Sequence, residues 1–302
     1  MANQPLVFDY QAAKGKPENI RHPEGYCPFC DVAHLTNILA QDDDRIWLVN
    51  KFRTLEDTFQ TVVIESSDHL GGPSTYSVEQ NRKVFEFAFK CWHQMIVSNK
   101  YQSTIMYKSF GPLSGGSLRH PHFQIVGLNN YDVYENIKPS NFVGVEIVKD
   151  DDVAITISTH PIIGFVEINI AIDGVAQIGR LADAVQVIVK YLLNDYMGGR
   201  LTSYNLFFYQ MAGKFYCKVV PRYATSPYLS AIRFHRFKMQ PDWIRLPLIF
   251  GNGYKSDEKG TACAVPFYVK IVGCSTSSNC LSKKAHLISL RRTIREIADD
   301  RQ

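Results

Sequence analysis

Gly115-Gly116-Ser117-Leu118-Arg119-His120-Pro121-His122-Phe123-Gln124 sets two histidines and a glutamine at alternating positions behind a run of small residues. In an extended strand, residues two apart share a face, so His120, His122 and Gln124 point the same way. Just upstream, Gly111, Gly115 and Gly116 alternate with Ser109, Ser114 and Ser117, a loop able to bring backbone N–H groups close to a phosphate. It is not a Walker-type loop, because no Gly-Lys-Ser/Thr and no helical pattern follow it. An imidazole beside such a loop is a nucleophile for phosphorus, with the developing oxyanion already provided for. The stretch therefore points to nucleotidyl or phosphoryl transfer through a covalent phospho-histidine.

Working outward, the strand ending in this motif is the last element of a pattern that occurs twice. Residues 45–50 and 60–65 are rich in β-formers, 77–98 carry an apolar stripe at helical spacing, and 103–108 and 120–127 again read as strands. Ser77 with Gln80 three residues later has the form of a capping box at the helix start. In the second half, 142–148, 153–159 and 165–172 are strand-like, 181–197 is a second apolar-striped helix, and 203–209 and 214–220 are strands. The pattern predicts an α+β fold made of a duplicated unit, an antiparallel sheet with helices, in a pseudo-symmetric two-half arrangement. The second copy has Lys214-Phe215-Tyr216-Cys217-Lys218 where the first has its His-Pro-His, so only one half carries the nucleophile.

Bulk properties narrow the class. Of 302 residues, 45% are apolar and 21% charged, the profile of a folded chain with ample core. No apolar run reaches the length of a membrane span, and the N-terminus lacks a basic-then-apolar leader, which predicts a cytoplasmic protein. The net charge of +4 is unevenly spread: residues 231–302 hold 13 Lys and Arg against 6 Asp and Glu, and residues 1–230 hold 20 against 23. The part with the histidines is thus not a generic polyanion binder, and nucleic acid is disfavoured as a substrate. Residues 231–302 read as a basic C-terminal extension that includes Gly251-Asn252-Gly253, a Ser/Cys-rich stretch at 274–280 and a basic amphipathic helix near 282–299.

Seven cysteines, an odd number, include one pair with recognisable spacing, Cys27-Pro28-Phe29-Cys30. A CxxC is half of a zinc site, a thiol redox centre, or neither. The redox reading requires a preceding buried strand, which is missing here. Zinc requires two further ligands, and His69 and His120 supply them, giving a closed tetrahedral Cys₂His₂ set of structural type. The competing readings are a solvated loop histidine for His69 and a catalytic imidazole for His120. If His120 belongs to the metal, the metal fixes its ring and, through Pro121, the position of His122.

Gly-x-Ser-x-x-His-Pro-His-x-Gln, with the CPFC segment and His69, resembles the signature of galactose-1-phosphate uridylyltransferases, a branch of the histidine-triad (HIT-like) superfamily, and the chain is most similar to a bacterial uridylyltransferase-like group. The resemblance runs from about Lys16 to the segment Pro221-Arg222-Tyr223-Ala224-Thr225-Ser226-Pro227. It implies a zinc-stabilised nucleotidyltransferase in which His122 attacks the α-phosphorus of a UDP-sugar, releases a sugar 1-phosphate, and passes the nucleotidyl group to a second sugar 1-phosphate. It assigns Gln124 to the transferred phosphoryl group, Gly115, Gly116 and Ser117 to phosphate contact, Asn50 to the nucleotide pocket, and Cys27, Cys30, His69 and His120 to zinc. A homodimer and a place in galactose metabolism are implied with it. A glutamine at 124, where related hydrolases have a third histidine, favours transfer; the alternative is a phosphorylase or hydrolase of dinucleoside polyphosphates or nucleotide-sugars.

Two departures stand out. Ser109 occupies the place of an asparagine whose amide contacts phosphate, and no sugar-recognition motif is evident in the second half. The domain reading is a HIT-like catalytic half with the zinc site at 1–135, a degenerate HIT-like half at 136–230, and the basic extension at 231–302.

Overall fold

A computed structural model describes residues 5–163 and 166–223, together with the backbone of two strands further on. Contacts divide the chain into two compact units, Met1–Pro247 and Leu248–Gln302. In the second, β11 (Asn252–Ser256) and β12 (Ala262–Pro266) pair antiparallel. The amphipathic helix and the Ser/Cys-rich stretch expected beyond them lie outside the described residues.

The first unit is built on one ten-stranded sheet. Its strands are β1 (Ile38–Asp42), β2 (Arg45–Val49), β3 (Thr58–Ile64), β4 (Ser103–Phe110), β5 (His122–Leu128), β6 (Gly144–Lys149), β7 (Ala154–Ser158), β8 (Ile168–Ile172), β9 (Ser203–Met211) and β10 (Lys214–Arg222). They lie in the order β1-β2-β3-β5-β4-β9-β10-β8-β7-β6, and every neighbouring pair is antiparallel. A short α1 (Tyr10–Lys14) precedes the sheet. The long α2 (Val78–Val97) connects β3 to β4, and α3 (Ile178–Asn194) connects β8 to β9. β4 and β9 meet at the centre of the sheet, with Ser109 opposite Asn205. That register joins the two halves of the chain directly.

Helix α2 starts where the capping signal puts it: Ser77 Oγ accepts from the Gln80 N–H at 3.1 Å. Its stripe of Phe85, Phe89 and Trp92 packs on Phe123 and Phe208 with ring centroids 5.5–6.5 Å apart. Helix α3 lies against α2, tied by Asn81 Nδ2 to Ala182 O at 2.7 Å and by a bidentate Arg82–Asp183 pair at 2.9 and 2.6 Å. Phe123 is fully buried on this helical side, so its strand neighbours His122 and Gln124 face the other side. The sheet thus separates a thick apolar core from the face that carries His122 and Gln124.

Some boundaries differ from the sequence pattern. Helix α3 begins at Ile178, ahead of the expected 181, and stops at Asn194; Met197, Gly198 and Gly199 at φ of 54°, 70° and 72° end the helical path. Strand β1 has little apolar alternation because it is an exposed edge, and the pattern missed it. Strand β5 begins at His122, after the expected 120. Pro121 has no N–H to give a ladder, and its carbonyl instead accepts from the Glu65 N–H at 3.1 Å. His120 therefore sits before the strand and is released from its face.

Candidate active site

Pro121 splits the motif into two environments. The His120 ring turns toward the CPFC knuckle, where one donor atom each from Cys27, Cys30, His69 and His120 lie within 4.8 Å of one another. Cys30 Sγ is 3.2 Å from His69 Nδ1 and 3.4 Å from His120 Nδ1, and Cys27 Sγ is 3.7 Å from His120 Nδ1. Tetrahedral zinc with ordinary bond lengths sets its sulfur and nitrogen ligands roughly 3.3–3.8 Å apart, so the set fits that ion. The His120 tautomer fits as well. Its Nε2–H donates to Ser66 O at 2.8 Å, which leaves the Nδ1 lone pair facing the cysteines. Partial burial, reinforced by the neighbouring Cys27, pushes the Cys30 thiol up to about 11. A dication among these donors removes the cost of ionising both sulfurs.

His122 is arranged differently. Its Nδ1–H donates to the carbonyl of His120 at 2.7 Å, so Nε2 carries the free lone pair. Burial, together with the nearby charges of Lys108 and Lys16, lowers its pKa to about 4, and the ring stays neutral. Phe29, from inside the CPFC knuckle, sets its ring edge-on to both imidazoles, with centroids 5.9 Å from His120 and 5.3 Å from His122. It also packs on the cluster of Ile46, Leu48, Val62 and Ile64. The CPFC knuckle is thereby rooted on the sheet face that holds His122.

Gln124 lies one strand position on. Tyr107, its partner across β4 and β5, donates its hydroxyl to Gln124 Oε1 at 3.0 Å. Burial pushes the Tyr107 phenol up to about 12, keeping it a donor. The Gln124 carboxamide is thus turned so that no acceptor among the described residues takes its NH₂ group.

The small-residue loop divides its work. Gly115 has φ of +82° with open space around it, and no acceptor among the described residues takes the N–H of Gly115 or Ser117. The Gly116 N–H instead turns inward to Ser114 Oγ at 3.3 Å. Gly111, also at +82°, passes so close to β9 that a Cβ would meet Thr202 O at 2.1 Å. Ser109 Oγ accepts from Asn205 Nδ2 at 3.0 Å. Asn50 is placed apart: it follows β2, its Oδ1 accepts from the Phe52 N–H at 2.9 Å, and no hydrogen bond among the described residues ties it to the loop. Its N–H donates to Gln60 O, four positions along β3 from Ile64, the partner of His122. That is about 13 Å along the sheet.

Two contributors escaped the sequence reading. Lys16 is half-buried, its pKa is lowered by that burial, and it has no ion-pair partner among the described residues although its charge reaches His122. Asn19, fully buried, accepts from the Arg119 N–H at 2.7 Å and donates its own N–H to Ser117 O at 2.9 Å, stitching the N-terminal segment to the loop. Neither belongs to a motif, and the one available signal was that a Lys-Pro pair stands at the start of the region of resemblance.

The DUF4931 N-terminal domain model, a domain of unknown function, matches residues 8–131, and the DUF4931 C-terminal domain model matches 134–247. A crystal structure of a DUF4931 family protein from Bacillus cereus is 40% identical, with 70% of this chain and 99% of that one covered and a TM-score of 0.66. The chain belongs to the DUF4931 family. This DUF4931 protein also shares its fold with a uridylyltransferase, at 13% identity and a TM-score of 0.55 over 76% of this chain and 92% of the other. An ADP-glucose phosphorylase from Arabidopsis thaliana gives 14% identity and a TM-score of 0.53 over 76% and 93%. No curated protein matches the chain. No helix among the described residues is long and apolar enough to cross a membrane.

Proposed function

We propose that this DUF4931 protein is a nucleotidyltransferase that works through a nucleotidyl-His122 intermediate, with a nucleotide-sugar as donor and a sugar 1-phosphate as acceptor. The observation that carries the reading is the His122 tautomer, set by its 2.7 Å bond to the His120 carbonyl, which leaves Nε2 as the nucleophile. In the first half-reaction Nε2 forms a bond to the α-phosphorus as the bond from that phosphorus to the bridging oxygen breaks, and sugar 1-phosphate departs. The imidazole becomes cationic, and its Nδ1–H stays on the His120 carbonyl, which stabilises that charge. In the second, a phosphate oxygen of the acceptor attacks the same phosphorus and the P–N bond breaks. No proton needs to move in either direction.

The NH₂ of Gln124 and the N–H groups of Gly115 and Ser117, which have no acceptor among the described residues, are the donors for charge developing on the phosphoryl oxygens. Lys16 adds a cation that has no counter-charge among the described residues and is available to an anionic substrate. Cys27, Cys30, His69 and His120 hold zinc in a structural role: with four protein donors the set is closed, and the metal supplies rigidity to the knuckle under His122. Asn50 lies on the nucleoside side of the site, and galactose metabolism and a homodimer belong to the same reading.

The strand order supports a duplicated, pseudo-symmetric HIT-like fold. Read inward from its two edges, the sheet runs β1-β2-β3-β5-β4 and β6-β7-β8-β10-β9, each half with one long helix before its last two strands. We place the catalytic half at 1–135, the degenerate half at 136–230 and the basic extension at 231–302.

Intact-mass spectrometry after incubation with UDP-glucose, UDP-galactose, ADP-glucose and diadenosine tetraphosphate tests the function. A mass increase of one nucleotidyl group, absent from a folded His122→Ala variant, is expected. Absence of any adduct across the panel overturns the proposal.

A further inference from the structure

Tyr107, on β4, stands opposite Gln124 on β5 and opposite Phe207 on β9. Directly opposed residues of antiparallel strands share a face, so the tyrosine lies on the face of His122 and Gln124. Its ring packs on Phe207, with centroids 6.4 Å apart and planes at 33°, while its hydroxyl donates to Gln124 Oε1 at 3.0 Å. A carboxamide has an accepting end and a donating end, and a half-turn of its last bond exchanges them. A phenol is a better donor than acceptor, because its oxygen shares a lone pair with the ring. The Tyr107 hydroxyl therefore selects the carbonyl end of Gln124 and turns it toward β4.

Which end of Gln124 faces the site matters because the two possible acceptors of a nucleotidyl group differ by a proton. A phosphate oxygen attacks phosphorus with no proton to lose. A water must lose one: its oxygen bonds to phosphorus, the P–N bond breaks, and the proton passes to solvent as the nucleoside monophosphate leaves. An acceptor group has to hold that water, and a glutamine carbonyl serves in this way in GTP hydrolysis. The other acceptors of the site are committed among the described residues. His122 Nε2 is bonded to phosphorus in the intermediate, and the His120 carbonyl takes the Nδ1–H of the same ring. Ser66 O takes the His120 Nε2–H, and Ser117 O takes the N–H groups of Asn19 and Ile20 at 2.9 and 3.3 Å. Gln124 Oε1 is the acceptor that a rotation would bring back into the site, and Tyr107 prevents that rotation.

We propose that Tyr107 is the positioning residue that protects the nucleotidyl-His122 intermediate from water, by holding the Gln124 carbonyl away from the site so that the carboxamide faces it as a donor. This rests on the nucleotidyl-transfer reading and goes beyond it, because selectivity against hydrolysis is assigned to a hydroxyl on the neighbouring strand as well as to the glutamine. Phe207 extends the assignment into the second half of the chain, since it supports the ring that carries this hydroxyl.

The test follows the fate of the adduct in the full-length, metal-loaded chain. The protein is charged with UDP-glucose, or with ADP-glucose where that donor gives the adduct, and freed of excess donor. It is then held in buffer alone, with glucose 1-phosphate, or with inorganic phosphate. Intact mass follows the adduct, and chromatography follows the nucleotide released. The wild-type adduct is expected to persist in buffer and to be discharged by at least one phosphate acceptor. Tyr107→Phe keeps the ring on Phe207 and loses one hydroxyl, so the fold is retained. Its adduct should decay in buffer about fivefold or more faster, the worth of one neutral hydrogen bond, and yield nucleoside monophosphate. A merely structural role would slow discharge by water and by phosphate together, whereas a positioning role shifts their ratio toward water. Adding Gln124→Met, which has no carbonyl to turn, should abolish the gain in hydrolysis. A Tyr107→Phe adduct as long-lived as that of wild type, an unchanged ratio, or the same gain in the double variant would overturn the proposal. Failure of the nucleotidyl-transfer reading is seen separately, as a wild-type protein that forms no adduct.

Discussion

Gly111 and Gly115 share a φ of +82° and differ in what surrounds them, which makes them a matched pair. An alanine at Gly115 meets nothing within 4 Å, so Gly115→Ala bears only the left-handed backbone penalty, about 1–2 kcal/mol. At Gly111 the same methyl group would lie 2.1 Å from Thr202 O, 2.5 Å from Ser203 Oγ and 2.9 Å from Ser203 Cα. Two of those three atoms are backbone of the β9 approach, which cannot rotate away. Relieving the overlap means displacing one chain by more than an ångström at the junction of the two halves, an overpacking cost of about 1–3 kcal/mol on top of the backbone term. Gly111→Ala is thus expected to lose roughly 2–5 kcal/mol in total, and Gly115→Ala less than half as much. Urea denaturation of the full chain, followed by tryptophan fluorescence with Trp47 and Trp92 in the first half as reporters, measures both. Equal losses in the two variants would show that β4 and β9 do not clamp the loop as described. The pair also divides function from stability, since Gly115→Ala impairs the N–H presentation near His122 at little cost in fold.

Three other outcomes follow from the site. Lys108→Met strands Glu65, a fully buried carboxyl that burial already pushes above its usual range, and should cost about 3–5 kcal/mol by denaturation; adding Glu65→Leu should recover most of that, and a double variant as unstable as the single would refute the pairing. Elemental analysis should find about one zinc per chain, lost on His69→Ala along with the capacity to form the His122 adduct; an adduct at the wild-type rate in a zinc-free variant would separate the knuckle from the nucleophile. Lys16→Ala removes a charge-assisted contact of about 1.5–3 kcal/mol, so the KM for the nucleotide donor should rise about tenfold or more with no loss of stability; an unchanged KM would take Lys16 out of the phosphate site.

What the sequence showed and what it hid follow one physical line. That His122 and Gln124 share a strand face, and that Cys27 and Cys30 come together with His69 and His120, was legible because it depends on local patterns: alternation along a strand, two residues between cysteines, a glycine where φ is positive. The strand boundary was misplaced by two residues because Pro121 acts through a missing N–H, a loss that a β-propensity reading at His120 does not register. Lys16, Asn19 and Asn205 were not legible because each acts on a residue far off in sequence: Lys16 on His122, Asn19 on Arg119 and Asn205 on Ser109. Ser109 shows the consequence most sharply. From sequence it looked like the loss of a phosphate-contacting amide, and that reading took the site one residue at a time. The β4–β9 register puts Asn205 opposite it, so the hydrogen-bonding capacity missing from one strand is present on the next. The second half of the chain therefore supplies, in Asn205, the side chain that orients Ser109 in the first, and the two halves of the sheet are tied together at that hydrogen bond.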